Sequence, residues 1–383
     1  MARIVTVFTS HCRDWDPREM SDIRWQKISE ALARQGHDVD IATNEPRWAN
    51  DRTPVIMAER LRRVPLLRIR WSNYDVVKTL FHLGFETLVR NGGGRHPFII
   101  SKLGSVVGPA DAPGIYFYGD IRRGLYETQK QIHRTSRFVT LLSQPAIDLW
   151  AEVHGRRSGM LLVPGAADAD IPPLGRNPYV AANIADKICI FSGNVYEADS
   201  QPEANRTLVR KLNELGRALA GSGVRLCFQG VGDLGAIDER YVTNLGSCSY
   251  PETWRYLQHA NVGVVVSAGP FMHNNESTKI YHYLRAGLPV VSEQGFPNER
   301  VLKASGIGTI VAGEDMTQMA ERIVEAAETR WDRASAMQYI LDHHTWDHRA
   351  RVYEHVIAQC LRAPGLYRPW ALLKHVGKRQ PAT

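Results

Sequence analysis

A chain of 383 residues exceeds the size at which one hydrophobic core stops growing, so two domains are expected. With 44% hydrophobic and 23% charged residues it reads as a globular chain that fills its cores without disulfides, and five scattered cysteines with no Cys-x-x-Cys pair argue for reduced thiols and against zinc. A net charge of +7 favours anionic partners, no apolar run reaches the roughly 18 residues of a membrane span, and the N-terminal strand pattern is too short for a signal peptide, so a cytoplasmic chain is expected.

Arg3–Ser10 has the near-continuous apolar run of a buried strand. Asp22–Gln35 carries Ile23, Ile28, Ala31 and Leu32 on one helical side and stops at Gly36; His37–Thr43 is a second strand. Strand, helix and strand with short joints make a βαβ unit, hence a parallel sheet with helices outside. Weaker strand patterns follow at Leu67–Trp71 and Asp75–Val77, then a helix over Leu80–Arg90. His96–Ile100 and Gly114–Asp120 read as strand ends, Arg137–Ser143 as a strand, Pro145–His154 as a helix and Met160–Gly165 as a strand. Asp120 thereby falls just past the carboxyl end of a strand, where open α/β sheets place ligands.

Ile171–Pro178 is rich in Pro and Gly and reads as a linker. The pattern then restarts with strand Lys187–Gly193, helix Glu203–Leu219, strand Val224–Gly230, strand Tyr241–Gly246, helix Tyr250–Gln258 and strand Val262–Ser267. Strand Gly308–Val311 and helices Met316–Glu328, Trp331–Leu341 and Trp346–Leu361 close the chain before a basic tail. The fold class is therefore α/β, with two Rossmann-like domains facing a central cleft. Residues 1–170 form the first, 171–184 the linker and 185–345 the second, and 346–383 form a helix and tail crossing back to the first.

Between these elements, Asn275–Glu293 reads as loop, short helix, tight stop and buried strand. Ser277 or Thr278 can cap the helix with a side-chain oxygen, and Gly287 with Pro289 ends it. Ile280, Leu284 and Gly287 share the face that packs on the sheet, while Lys279 and His282 lie on another face near the N-terminus. A helix N-terminus with hydroxyls and a lysine suits a phosphate.

Lys279-x-x-His282-Tyr-Leu-x-x-Gly287-x-Pro289-Val-Val resembles the donor-binding element of GT-B glycosyltransferases, and the Ser277-Thr-Lys279 start is most similar to the inverting xanthan-type glucuronosyltransferase. The resemblance implies a UDP-sugar donor held in the C-terminal domain, with Lys279 and its neighbours at the diphosphate. It implies Asp120, in the acceptor half, as the general base. The glutamate pair that many retaining members carry is absent: Asn274 and His282 stand there, with Glu276 out of step, and Ser192-Gly-Asn-Val-Tyr196 replaces their Arg and Lys-Gly pair. An inverting transfer fits better.

Gly193 admits the backbone close to a diphosphate, and Ser192, Ser277, Thr278 and Lys279 would complete its cradle without a metal or other cofactor. Tyr250 would line the base pocket, and Glu293 and Asn298 would reach the ribose. Gly230-Val-Gly232 reads as a turn more than a nucleotide loop. Asp14-Trp-Asp16, Asp38-Val-Asp40 and Asp168-Ala-Asp170 match the metal-holding Asp-x-Asp in letters only. Arg60–Trp71 and Arg368–Arg379 mix arginine, tryptophan and leucine, which suits an anionic membrane surface; no nucleic-acid motif occurs. The expected partners are a nucleotide-sugar donor and a saccharide or lipid-linked acceptor. A UDP-sugar 2-epimerase and a non-catalytic nucleotide-sugar-binding protein are the alternatives.

Overall fold

The computed structural model describes residues 1–7, 17, 20–108, 119–184 and 186–362, with the side chains of 119–121 outside that description. Its strands are β1 Arg3–Val7, β2 Asp38–Thr43, β3 Val55–Ala58, β4 Leu61–Pro65, β5 Val76–Leu80, β6 Ile99–Lys102, β7 Phe138–Leu141, β8 Met160–Leu162, β9 Lys187–Ser192, β10 Val224–Gln229, β11 Val242–Asn244, β12 Val262–Val265, β13 Val290–Glu293 and β14 Gly308–Val311. Its helices are α1 Met20–Arg34, α2 Phe81–Arg90, α3 Gly119–Thr135, α4 Gln144–His154, α5 Pro178–Ala181, α6 Pro202–Ala218, α7 Tyr250–His259, α8 Thr278–Arg285, α9 Glu299–Ser305, α10 Met316–Glu328, α11 Arg333–His343 and α12 Trp346–Arg362.

Two sheets result, ordered β3-β4-β2-β1-β5-β6-β7-β8 and β11-β10-β9-β12-β13-β14. Every pairing is parallel except β3 with β4. The residue types explain this. Ile4, Val5 and Val7 of β1 and Val290 and Val291 of β13 are buried on both faces, as a sheet covered by helices on each side requires. In both sheets the order reverses beside the first strand, which opens a crevice at the carboxyl ends.

The chain crosses between the halves twice, side by side. Ala167 N–H donates to the His344 carbonyl at 2.9 Å, and Trp346 N–H to the Ala167 carbonyl at 3.2 Å. After that crossing α12 leaves the second half and covers the first. Its Trp346, Ala350, Tyr353 and Ile357 pack with Trp25, Ile28 and Leu32 of α1.

One expected strand needs correction, and one hairpin is new. Leu67–Trp71 is not a strand: β4 ends at Pro65, and single 3-10 turns follow at Leu66–Arg68 and Trp71–Asn73. The hairpin β3–β4 was not anticipated, because its arginines interrupt the apolar alternation. These arginines answer carboxylates nearby: Arg60 meets Asp38 at 3.0 Å, Arg62 meets Asp40 at 2.7 Å and Arg63 meets Glu45 at 2.8 Å. Asp120 sits in the first turn of α3, and the strand end expected before it falls on residues 114–118, outside the described residues.

Candidate functional site

Helix α8 is placed by its apolar face. Ile280 and Leu284 are fully buried, and Gly287 takes the left-handed conformation at φ +69°, letting the chain turn into β13. Tyr283 does two further jobs. Its ring lies where a Cβ at Gly263 of β12 would be, and its hydroxyl accepts from the Ser192 N–H at 2.8 Å. That second contact fixes the end of β9.

Beyond β9 the segment 193–195 runs along 229–231. Gly193 N–H donates to the Gln229 carbonyl and Val195 N–H to the Val231 carbonyl, both at 2.9 Å. Gly230 and Gly232, at φ +156° and +125°, face the carbonyls of Gly193 and Val195 so closely that any Cβ would collide with them. Ser192 Oγ donates to Gln229 Oε1 at 2.6 Å.

These elements enclose a cavity of about 310 Å³. Ser192, Gly193, Tyr250, Ser277, Thr278, Lys279 and His282, the residues singled out in the sequence, all line it, with Glu276, Tyr283 and Gly230. Met20 and Ile23 of α1 close it from the other half.

Some of its polar groups have no partner within the protein. Ser277 occupies the cap position of α8, but its hydroxyl does not cap: Oγ is buried without a partner. This corrects the expected cap. Asn298 holds the Ser277 backbone on both sides, accepting from its N–H at 3.2 Å and donating to its carbonyl at 2.9 Å. Thr278 Oγ1 is taken by Arg24 of α1 at 2.6 Å, a bond joining the halves. Lys279 is half-buried over the Phe191 ring, 4.7 Å from its centroid, and burial lowers its pKa from 10.5 to about 8. His282 is buried beside the Trp254 and Tyr250 rings, at 5.1 and 5.8 Å, with Nε2 unpartnered. Burial, then the Arg24 charge, pushes its pKa down to about 3, so the ring is neutral.

Two expected ribose contacts are overturned. Glu293 turns into the interior, where Lys211 Nζ donates to its oxygens at 2.9 and 3.0 Å and Ser267 donates through both N–H and Oγ at 2.8 Å. Asn298 spends its amide on Ser277. Glu276, set aside as out of step, is a buried cavity residue that accepts from the Gly165 N–H and the Tyr281 hydroxyl, each at 2.9 Å. Its partners lie in a chain crossing and on the next helix turn, so only the carboxylate itself was a signal. The Asp120 side chain lies outside the described residues. Of the Asp-x-Asp candidates, Asp40 is held by Arg62 and by the Tyr74 hydroxyl at 2.8 Å, and Asp168 pairs with Lys27 at 3.6 Å; Asp14 and Asp16 lie outside the described residues.

Solved structures share this architecture along nearly their whole length. Sucrose-phosphate synthase from Thermosynechococcus elongatus superposes with a TM-score of 0.67 at 15% identity, covering 94% of this chain and 99% of that one. The Anabaena protein HepE in complex with UDP-glucose gives 0.65 at 12% identity, covering 94% and 100%. A UDP-forming α,α-trehalose-phosphate synthase from Burkholderia vietnamiensis gives 0.61 at 11%, covering 94% and 100%. The fold is GT-B. No family model and no curated protein matches the sequence. The cavity lies in the C-terminal half, beside α8, with Met20 and Ile23 of α1 lining it from the N-terminal half.

Proposed function

We propose that the chain is a glycosyltransferase moving a sugar from a nucleotide-sugar, UDP-linked, to a hydroxyl of a saccharide or lipid-linked acceptor. The observation that carries this is the convergence of the unpartnered Ser277 Oγ and His282 Nε2, the Lys279 ammonium and the N-terminus of α8 on one cavity. The GT-B structure similar to this chain that holds UDP-glucose adds support. The diphosphate would lie against α8, Lys279 and the backbone at residue 193, with Tyr250 beside the base.

In the transfer, the acceptor oxygen attacks the anomeric carbon as its proton passes to a base, and the bond to the diphosphate oxygen breaks. We assign the base role to Asp120, as in the xanthan-type enzyme the motif resembles, and inversion follows from a single displacement. The leaving UDP gains charge, which Lys279 and the α8 N–H groups offset without a metal. The exposed Leu67, Arg68 and Arg70, with the basic tail, would rest on an anionic membrane surface in polysaccharide synthesis.

Thermal unfolding with a nucleotide panel tests this. UDP and UDP-sugars raise the melting temperature of the wild type and not of Lys279→Ala, and Asp120→Asn keeps the UDP shift while losing transfer. An equal response to ADP would remove the donor assignment. Turnover of Asp120→Asn at the wild-type rate would remove the base.

A further inference from the structure

A second cluster lies behind the first, at the carboxyl edge of the N-terminal sheet. Arg24 of α1, Lys78 of β5 and Lys102, the last residue of β6, line a small space with Leu80, Pro164 and Tyr353. Lys78 is 1% exposed, Lys102 4% and Arg24 8%. Among the described residues none of the three forms an ion pair. Lys102 Nζ and Arg24 Nε are buried without any hydrogen-bond partner. Rings surround the two lysines: Lys78 Nζ stands 4.2 Å from the Tyr353 ring centroid and 5.3 Å from that of Trp25, and Lys102 Nζ stands 4.6 Å from that of Phe81, whereas Arg24 feels the Glu276 carboxylate on its donor-cavity side.

Three basic groups gathered in a dry site are costly to keep charged unless an anion completes them. Burial takes Lys78 down to about 7, and burial, then Arg24 and Lys78, takes Lys102 well below its usual range. Ring faces recover part of the cost through cation–π attraction. A purely structural position would be served better by leucine or methionine. The location also favours a ligand: β5, β6 and β8 all end here, on the cleft side of an open sheet. Arg24 connects the place to the donor cavity through its 2.6 Å bond to Thr278.

We propose that Arg24, Lys78 and Lys102 form an anion subsite that holds an acid group of the acceptor, a phosphate or a carboxylate. The space, about 10 Å³, admits one water-sized atom. It would therefore take one acid oxygen, leaving the sugar in the cleft. That this anion belongs to an acceptor rests on the transferase reading above; the anion site itself does not.

The test uses the full chain with saturating UDP, so that the donor cavity is filled. Thermal unfolding is followed against inorganic phosphate, acetate and neutral glycerol at fixed chloride, for the wild type, Lys102→Met and Lys78→Met. Phosphate and acetate raise the wild-type melting temperature beyond the general salt effect seen in the variants, and both methionine variants lose that excess. Separately, UDP release is measured with phosphorylated or uronic saccharides against their neutral counterparts. The wild type prefers the acidic set at least tenfold, and Lys102→Met loses the preference. An anion shift equal in wild type and both variants overturns the site. A site intact but with neutral saccharides used equally well overturns its assignment to the acceptor. Failure of UDP to bind counts against the donor reading alone.

Discussion

Lys279 lies directly on Gly193: a Cβ built at residue 193 would stand 2.7 Å from the Lys279 Nζ. The glycine thus makes room for the ammonium between the Phe191 ring and the cavity. One residue type at the end of β9 determines where the charge of α8 sits.

Gly193→Ala should therefore act through Lys279. Gly193 has no positive φ, so alanine meets no backbone strain there and the fold should hold. The methyl group displaces the ammonium, and a charged hydrogen bond to phosphate contributes about 1.5–3 kcal/mol. UDP affinity should fall roughly tenfold to a hundredfold by calorimetry. The double variant Gly193→Ala/Lys279→Ala should bind no more weakly than Lys279→Ala alone. An unchanged affinity in the single variant would show that Lys279 reaches a ligand from elsewhere.

The lowered Lys279 pKa gives a pH signature. In the free protein the burial that disfavours the ammonium lowers its pKa from 10.5 to about 8. The unfolded chain then binds the extra proton between these values, so this group's contribution to stability rises with pH across that window. Binding behaves oppositely. A diphosphate favours the charged lysine, so UDP-glucose affinity is full below about pH 8 and declines above it. His282, held near 3, adds no step between pH 5 and 7 as ordinary histidines would. Calorimetric titration of UDP-glucose across pH should show one decline in the wild type and a weak, flat profile in Lys279→Ala. A decline that survives in Lys279→Ala would assign it to another group.

The parallel sheets were legible because β1, β9 and β13 are short apolar runs bounded by glycine or polar residues, and the periodicity of α8 announces which face is buried. The grouping of Ser277, Lys279 and His282 followed from that face. Glu293 was misplaced for a physical reason. It ends a strand pointing at the crevice, and nothing local reveals that Lys211, 82 residues earlier, has turned its side chain inward to meet it. Likewise Arg60–Arg63 read as a basic surface because the carboxylates that absorb them belong to or follow a neighbouring strand. The Arg24 bond to Thr278 spans 254 residues, beyond any periodicity.

The Lys211–Glu293 pair makes the last prediction. Lys211 is fully buried and Glu293 3% exposed, and Ser267 adds two donors to the carboxylate. The pair ties α6 to the ends of β12 and β13, from which the chain runs on to the cavity loops. Removing one partner of such a pair strands a buried charge, at a cost of about 3–5 kcal/mol. Lys211→Met should lower the denaturation midpoint accordingly, whereas Lys211→Met/Glu293→Gln should recover most of the loss, because the amide oxygen still accepts from Ser267. Urea unfolding of both variants decides the matter. Equal losses would place the cost in the packing of the lysine stem, and the charge pair would then contribute little to holding α6 against the sheet.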